Sequence, residues 1–261
     1  LFAIEFSDDS ELFAIGWNAF SFSNLKSFYF PSKVTLLEKE WCNNTSFINF
    51  KINENNKNFL YFDDKFLLGK SNPKSARYNI ILYARRDIKK AIIPSFIQQI
   101  APYSFQIKEF FEIEFSDDSE LTLIDDFAFN ESALESIKIP NETIKIGKYA
   151  FTQCALQKIE FSDNSQLTII DDYSFYINNS IERLVIPSHV VQIGRYAFKY
   201  NYNLETISFS QRSELKIIND SAFSDTSFEE ITIPPHVVLI DDNSLARSSY
   251  KEIKIRFYTQ N

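Results

Sequence analysis

The sequence predicts a solenoid: a chain wound into stacked coils, with a parallel β-sheet on the concave side and short strands and short helices on the convex side. Three observations predict it. One unit recurs every 22 to 25 residues almost from end to end, apolar residues hold fixed slots within it, and two versions of it alternate. Leu134 to Ala155, LESIKIPNETIKIGKYAFTQCA, is a proline form, and Phe110 to Ala133, FFEIEFSDDSELTLIDDFAFNESA, is an acidic form. The acidic form returns at 1–24, 156–180 and 204–227, and the proline form at 25–46, 88–109, 181–203 and 228–249. A fixed period over 261 residues reads as a single elongated domain, 1–261, rather than two globular ones.

Each element of the unit has a physical reason. In L-x-x-I-x-I-P the apolar residues alternate, as Ile137 with Ile139 and Ile231 with Ile233 do, which places them on the inner face of a short strand. Pro31, Pro94, Pro140, Pro187 and Pro234 follow that strand directly, where a missing N–H ends the ladder. A second apolar pair comes next, Ile144 with Ile146 or Val191 with Ile193. Asp125, Asp171, Asn219 and Asp241 are then suited to N-cap a short helix on the convex side, with Gly147 and Gly194 in that slot of the proline form. Phe20, Phe105, Phe129, Phe151, Phe175, Phe198 and Phe223 share one slot of successive coils and are expected to pile into an internal column.

These slots make the chain a leucine-rich-repeat solenoid, and they resemble the repeats of the BspA-like surface-antigen family, which carry I-P after the strand, then I-G, A-F and often Cys. Ile139-Pro140, Ile146-Gly147, Ala150-Phe151 and Cys154 match that pattern, and nearly the whole chain fits it. Departures are local: Glu38 stands at the Gly slot and Trp41-Cys42 at the Ala-Phe slot of 25–46, and Leu245 replaces the Phe of the last unit. The resemblance implies a non-enzymatic, surface-displayed or secreted binding and adhesion module of bacteria and protists that colonise mucosal hosts. A cytoplasmic recognition scaffold is the alternative location for the same fold.

One longer, strand-rich unit interrupts the repeat at about 47–87. FLYFDDKFLL, broken after Phe62 by Asp63-Asp64, reads as a β-hairpin, and YNIILYA as a further strand. From Phe47 to Lys90 there are ten Lys and Arg against four Asp and Glu, on a chain whose net charge is −8. Arg85, Arg86, Lys89 and Lys90 cluster at the end of this basic stretch, which suits an acidic glycan or an acidic protein partner.

The central outward slots of the strands hold Glu5, Tyr29, Lys51, Ile92, Glu114, Lys138, Glu160, Val185, Ser208, Thr232 and Lys254. Tyr29, Lys51, Ile92, Glu114 and Lys138, together with the four cations of the insertion, form the candidate partner-binding set on the concave groove. Nucleic acid is not among the expected partners, and no apolar run reaches the ~18 residues that span a bilayer. The absence of Met and a start inside a repeat read as a fragment of a longer protein, with any membrane attachment in segments outside it. Neither end shows a polar capping repeat, so the 1–6 and 250–257 strands could join copies end to end as a homodimer.

Catalytic, cofactor and metal sites are not expected. His189 and His236 recur in one slot without a nucleophile at a diagnostic spacing. The Ser7-Asp8-Asp9-Ser10-Glu11 and Ser116-Asp117-Asp118-Ser119-Glu120 turns lack the glycine and spacing of a calcium loop. Cys42 and Cys154 lie several coils apart, beyond the ~7 Å limit for a disulfide, and are expected to be free and buried. Six sequons, at Asn43, Asn44, Asn130, Asn141, Asn178 and Asn219, could carry glycans on a secreted chain.

Overall fold

A computed structural model describes residues 3–7, 9–246 and 253–257. The chain winds into about 11 coils. A typical coil contributes a four-residue strand such as Ser136–Ile139 and, beyond a turn, a two-residue strand such as Lys145–Ile146. Within Ser136–Ile139 the side chains alternate, Ile137 and Ile139 buried and Ser136 and Lys138 exposed, because successive residues of a strand face opposite sides. Successive coils stack parallel and in register, Ile137 beside Ile159 and Lys138 beside Glu160. At the C-terminal end the register differs from the expected row: Thr232 lies beside Arg256, and Lys254 beside Glu230. Of the two terminal strands, Ala3–Ile4 and Lys254–Phe257 form, while Leu1 and Tyr250 lie outside the described residues.

The seven two-residue strands from Gln99–Ile100 to Leu239–Ile240 continue the three strands of the insertion into one sheet of ten, whereas the four-residue strands from Lys90 onward are hydrogen-bonded in couples. Each couple joins a proline-form strand to the acidic-form strand after it, as Lys90–Ile93 joins Glu112–Phe115 and Arg183–Ile186 joins Thr206–Phe209. Proline explains the pairing. At the exit of an acidic-form strand Ser210 N–H donates across the ladder to the Ile186 carbonyl at 3.0 Å. The same place on a proline-form strand is Pro140, Pro187 or Pro234, which has no N–H to donate to the coil before it. At each acidic-to-proline seam from Lys90 onward the strands lie side by side without a ladder; at the N-terminal end Ala3–Ile4 still pairs with the first two residues of Ser27–Phe30, short of Pro31, and the sheet there has three strands.

The phenylalanine column forms from Phe105 to Phe223. Its six rings, all buried, stack at centroid spacings of 5.0, 5.0, 5.1, 5.1 and 5.3 Å, close to the ~4.8 Å spacing of hydrogen-bonded strands. Phe20, expected in this column, instead packs against Phe28, Trp41 and Phe47. The reason is the insertion. Leu60–Phe62 and Phe66–Gly69 form the expected antiparallel hairpin, turning at Asp63 and Asp64 with φ of 50° and 49°, and Ile80–Ala84 pairs on its other side. Every residue of Phe66–Gly69 is buried. Leu67 and Tyr83 join an N-terminal core with Phe30, Trp41 and Phe50, while Phe66, Leu68 and Ile81 join the C-terminal core. The hairpin is a wall with a core on each side, and Phe20 lies on the other side of it from the column.

The short convex helices do not form: among the described residues that face is built of turns. In the coil from Gly147 to Cys154, Tyr149, Phe151 and Gln153 donate their N–H groups to the carbonyls of Asp172, Ser174 and Tyr176 in the next coil, at 3.1, 2.7 and 2.9 Å. Alternate N–H groups are thus committed along the solenoid axis and unavailable to a helix. The backbone achieves this by entering the left-handed region twice per turn, at Tyr149 (φ 57°) and Gln153 (φ 54°), and likewise at Phe127 and Glu131, Tyr173 and Ile177, Tyr196 and Tyr200. Each such residue costs about 1–2 kcal/mol, offset by the inter-coil hydrogen bonds. The expected caps are still used locally: Asp125, Asp171 and Asp241 accept from the N–H of the following residue at 2.8 Å. Gly147 and Gly194 are glycine for another reason. A Cβ would come within 2.7 Å of the Asp126 nitrogen at Gly147, and within 2.4 Å of the Asp172 nitrogen at Gly194, so these positions let consecutive coils touch.

Phe151→Ala is expected to cost about 3–5 kcal/mol in equilibrium unfolding, and Gly147→Ala on the order of 1–3 kcal/mol. Gly16→Ala, whose added carbon meets nothing nearer than Glu38 at 3.8 Å, is expected to change stability by no more than about 0.5 kcal/mol. A Gly147→Ala chain as stable as the parent would refute the close coil contact.

Candidate functional site

The strand face carries the residues singled out in the sequence, and the fold divides them into three groups. Ile92, Glu114 and Lys138 come together. Ile92 is 70% exposed and lies in register beside Glu114. Glu114 and Lys138 then line one cleft of about 500 Å³ with Ser116, Asp117, Asn141 and Ser162. This cleft opens where the Glu112–Phe115 strand meets Ser136–Ile139, at a seam without a ladder. A second seam, between Thr206–Phe209 and Glu230–Ile233, opens a cleft of about 370 Å³ lined by Ser208, Glu230 and Thr232. The prolines that uncouple the strands therefore also shape the face.

Tyr29 and Lys51 lie side by side in register on the sheet N-terminal to the hairpin wall, and Asn53 donates to the Tyr29 hydroxyl at 2.8 Å. The fold places this pair in a different sheet from Ile92.

The four cations of the insertion divide again. Arg85 is held by both carboxylate oxygens of Asp87 at 2.8 Å and by Asp64 at 2.7 Å; its hydrogen bonds hold the Asp87 carboxyl below the usual carboxylate range. Arg86 is partly buried and turned inward, donating to the carbonyls of Ser104 and Tyr103 at 2.8 Å each, with its guanidinium 3.9 Å from the Tyr83 ring centre. Lys89 and Lys90 point outward, Lys89 to Glu109 at 3.5 Å and Lys90 to Glu112, its neighbour in register. Arg85 and Arg86 thus fasten the hairpin wall to the coils, and the outward cations beside Ile92 are Lys89 and Lys90.

The cysteines are free and buried. Burial pushes the Cys154 thiol up to about 12, so it stays protonated at neutral pH. Cys154 donates to the Phe129 carbonyl at 3.1 Å, and Asn178 and Asn201 bind the Phe151 and Phe175 carbonyls from the same slot of later coils. That slot fastens the turn, which also explains why the sequon residue Asn178 is buried. Among the described residues no three His, Cys, Asp or Glu side chains converge as metal ligands; Asp8 of the first acidic turn lies outside them. His189 donates from Nδ1 to the Ser165 carbonyl at 3.0 Å.

A second aromatic column had no counterpart in the sequence reading. Tyr103, Phe127, Tyr149, Tyr173 and Tyr196 stack at 4.9, 4.7, 4.6 and 4.7 Å on the turn face. Each stands two residues before a member of the phenylalanine column, a spacing that could have found it. Four of the five are only partly buried.

The BspA type leucine-rich-repeat region matches the chain in six copies, over residues 2–63, 75–132 and 122–252. Among solved structures the chain is similar to a leucine-rich repeat protein from Eubacterium ventriosum ATCC 27560, with 20% identity and a TM-score of 0.76 over 94% of this chain and 63% of that one. It is also similar to the pneumococcal vaccine antigen PcpA, with 18% identity and a TM-score of 0.55 over 97% of this chain and 61% of that one. At these identities the likeness is one of fold, and the chain spans less than two thirds of either structure. No curated protein matches it.

Arg86→Ala is expected to destabilise the chain by on the order of 3 kcal/mol, since charged hydrogen bonds contribute about 1.5–3 kcal/mol each. Lys89→Ala, which loses only an exposed ion pair, is expected to cost less than about 1 kcal/mol. Equal midpoints for the two variants in chemical denaturation would refute the division of the basic cluster.

Proposed function

The chain belongs to the BspA-type leucine-rich-repeat family, and from that premise we propose that it is a binding module displayed at a cell surface, engaging a host or matrix protein through its strand face. Membership of the family and the likeness to a vaccine antigen support surface display. The observation that carries the binding face is Ile92, a 70% exposed aliphatic side chain in a row of otherwise mostly charged and polar residues. Binding energy at interfaces concentrates on a few side chains that become fully desolvated inside a surrounding rim, and Ile92 is such a side chain. Around it lie Glu114 and Lys138 in the seam cleft, with Lys89 and Lys90 on the approach. Arg85 and Arg86 contribute by holding the insertion in place. Tyr29 and Lys51 extend the contact area only for a partner broad enough to cross the insertion.

The cleft at the acidic-to-proline seam suits a protein side chain better than a flat sheet does. Charged groups on both of its walls, Glu114 and Asp117 facing Lys138, favour a partner of mixed charge over a purely polyanionic one.

Surface plasmon resonance over a panel of immobilised extracellular-matrix proteins tests this reading. Ile92→Glu and Lys138→Glu are expected to weaken binding at least about tenfold, as loss of a hot-spot contact does, with unfolding midpoints unchanged because both side chains are exposed. Undiminished binding by both variants, or no binding by the parent chain, would overturn it.

A further inference from the structure

We propose a second site, several coils further along the solenoid at the turns that follow the four-residue strands: a cleft that takes an anionic saccharide bearing a carboxylate or sulfate group. The cleft measures about 430 Å³ and lies between the turn at 210–214 and the turn that carries Pro235 and His236. Arg212, Lys216 and His236 line it, with Glu214 as its one carboxylate. Among the described residues neither Arg212 nor Lys216 forms an ion pair. This contrasts with the insertion, where Arg85, Lys89 and Lys90 each have a carboxylate.

The repeat itself shows that these cations are not needed for the fold. The equivalent turn two coil pairs earlier reads Ser116-Asp117-Asp118-Ser119-Glu120-Leu121-Thr122, with three acids and no base. Here it reads Ser210-Gln211-Arg212-Ser213-Glu214-Leu215-Lys216, with two bases and one acid. Both turns keep the same local hydrogen bonds, Ser119 N–H to the Ser116 carbonyl and Ser213 N–H to the Ser210 carbonyl, each at 3.0 Å. His236 differs in the same sense from its counterpart. His189, in the same slot, is partly buried and bonded to a neighbouring turn, whereas His236 is exposed and has no such bond.

Chemistry selects the ligand class. An unpaired guanidinium offers two parallel N–H donors that match a carboxylate or sulfate, and Lys216 adds a second positive charge. The Gln211 amide and the His236 imidazole, which donates one N–H even when neutral, suit ring hydroxyls. Val191 and Pro235 supply the apolar part of the lining. No Phe, Tyr or Trp lines the cleft, which leaves a nucleobase only the His236 and Arg212 planes to stack on. The volume lies within the roughly 300–1,000 Å³ typical of small-ligand sites. The site is independent of the strand face and of what binds there.

The test is isothermal titration of the chain with a sulfated uronate–hexosamine disaccharide, its desulfated counterpart and a phosphorylated peptide. The parent chain is expected to bind the sulfated disaccharide with an affinity that falls as salt rises. Arg212→Asp combined with Lys216→Thr writes the residues of the 116–122 turn into the same slots, and is expected to weaken binding at least about tenfold, from loss of two charged contacts. Lys74→Glu with Lys108→Glu, which removes at least as much positive charge elsewhere on the surface, should leave the affinity unchanged. His236→Gln gives a second reading of the cleft, with a smaller loss expected. Equal affinity of the Arg212 and Lys216 double variant and the parent, no binding by the parent, or tighter binding of the phosphorylated peptide would each overturn the proposal.

Discussion

The turns of this solenoid commit alternate backbone N–H groups to the next coil, and the rest of the structure depends on that. Once Tyr149, Phe151 and Gln153 donate along the axis, the spacing between coils is set by a hydrogen bond on the turn face as well as on the sheets. Side chains must then stack at nearly the backbone spacing. Flat rings satisfy this, and the phenylalanine column stacks with interplanar angles of 4–6° over its regular stretch from Phe129 to Phe223. The same spacing excludes a Cβ at Gly147 and Gly194, where one coil's backbone lies against another's. Two left-handed residues per turn follow from the same geometry, because only that backbone path aims every second N–H down the axis.

Proline works against this uniformity on the strand face. It removes one donor from every second coil, so from Lys90 onward the four-residue strands couple in pairs, and seams between couples open into clefts. The contacts that hold the coils and the proposed partner-binding surface thereby fall on different faces. The turn face and the continuous two-residue sheet hold the coils, while the interrupted strand face presents Ile92, Glu114 and Lys138. The hairpin wall adds a second division, since it separates the two hydrophobic cores and uses Arg86 as an internal fastener rather than as a surface charge.

Much of this was legible in the sequence because a repeat reports its own constraints many times. The strand alternation at Ile137 and Ile139, the proline exits, the hairpin at Asp63-Asp64 and the column from Phe105 onward all follow from period and residue type. The convex helices were misread: Asp before an apolar pair is an N-cap signal, but nothing local reveals that the N–H groups downstream belong to a neighbouring coil. Phe20 was misplaced because slot identity does not show that a hairpin wall stands between it and the column. The four cations of the insertion read as one patch in the sequence. Their division into fasteners and surface groups depends on partners as distant as Tyr103 and Ser104, which no linear spacing reveals.

The most direct test of the account is detection of couplings across hydrogen bonds by NMR on the deuterated chain. Through-bond couplings are expected from the amides of Tyr149, Phe151 and Gln153 to the carbonyls of Asp172, Ser174 and Tyr176, one coil onward. Couplings from those amides to carbonyls four residues earlier in the chain would mean that the turn face is helical, and would contradict it.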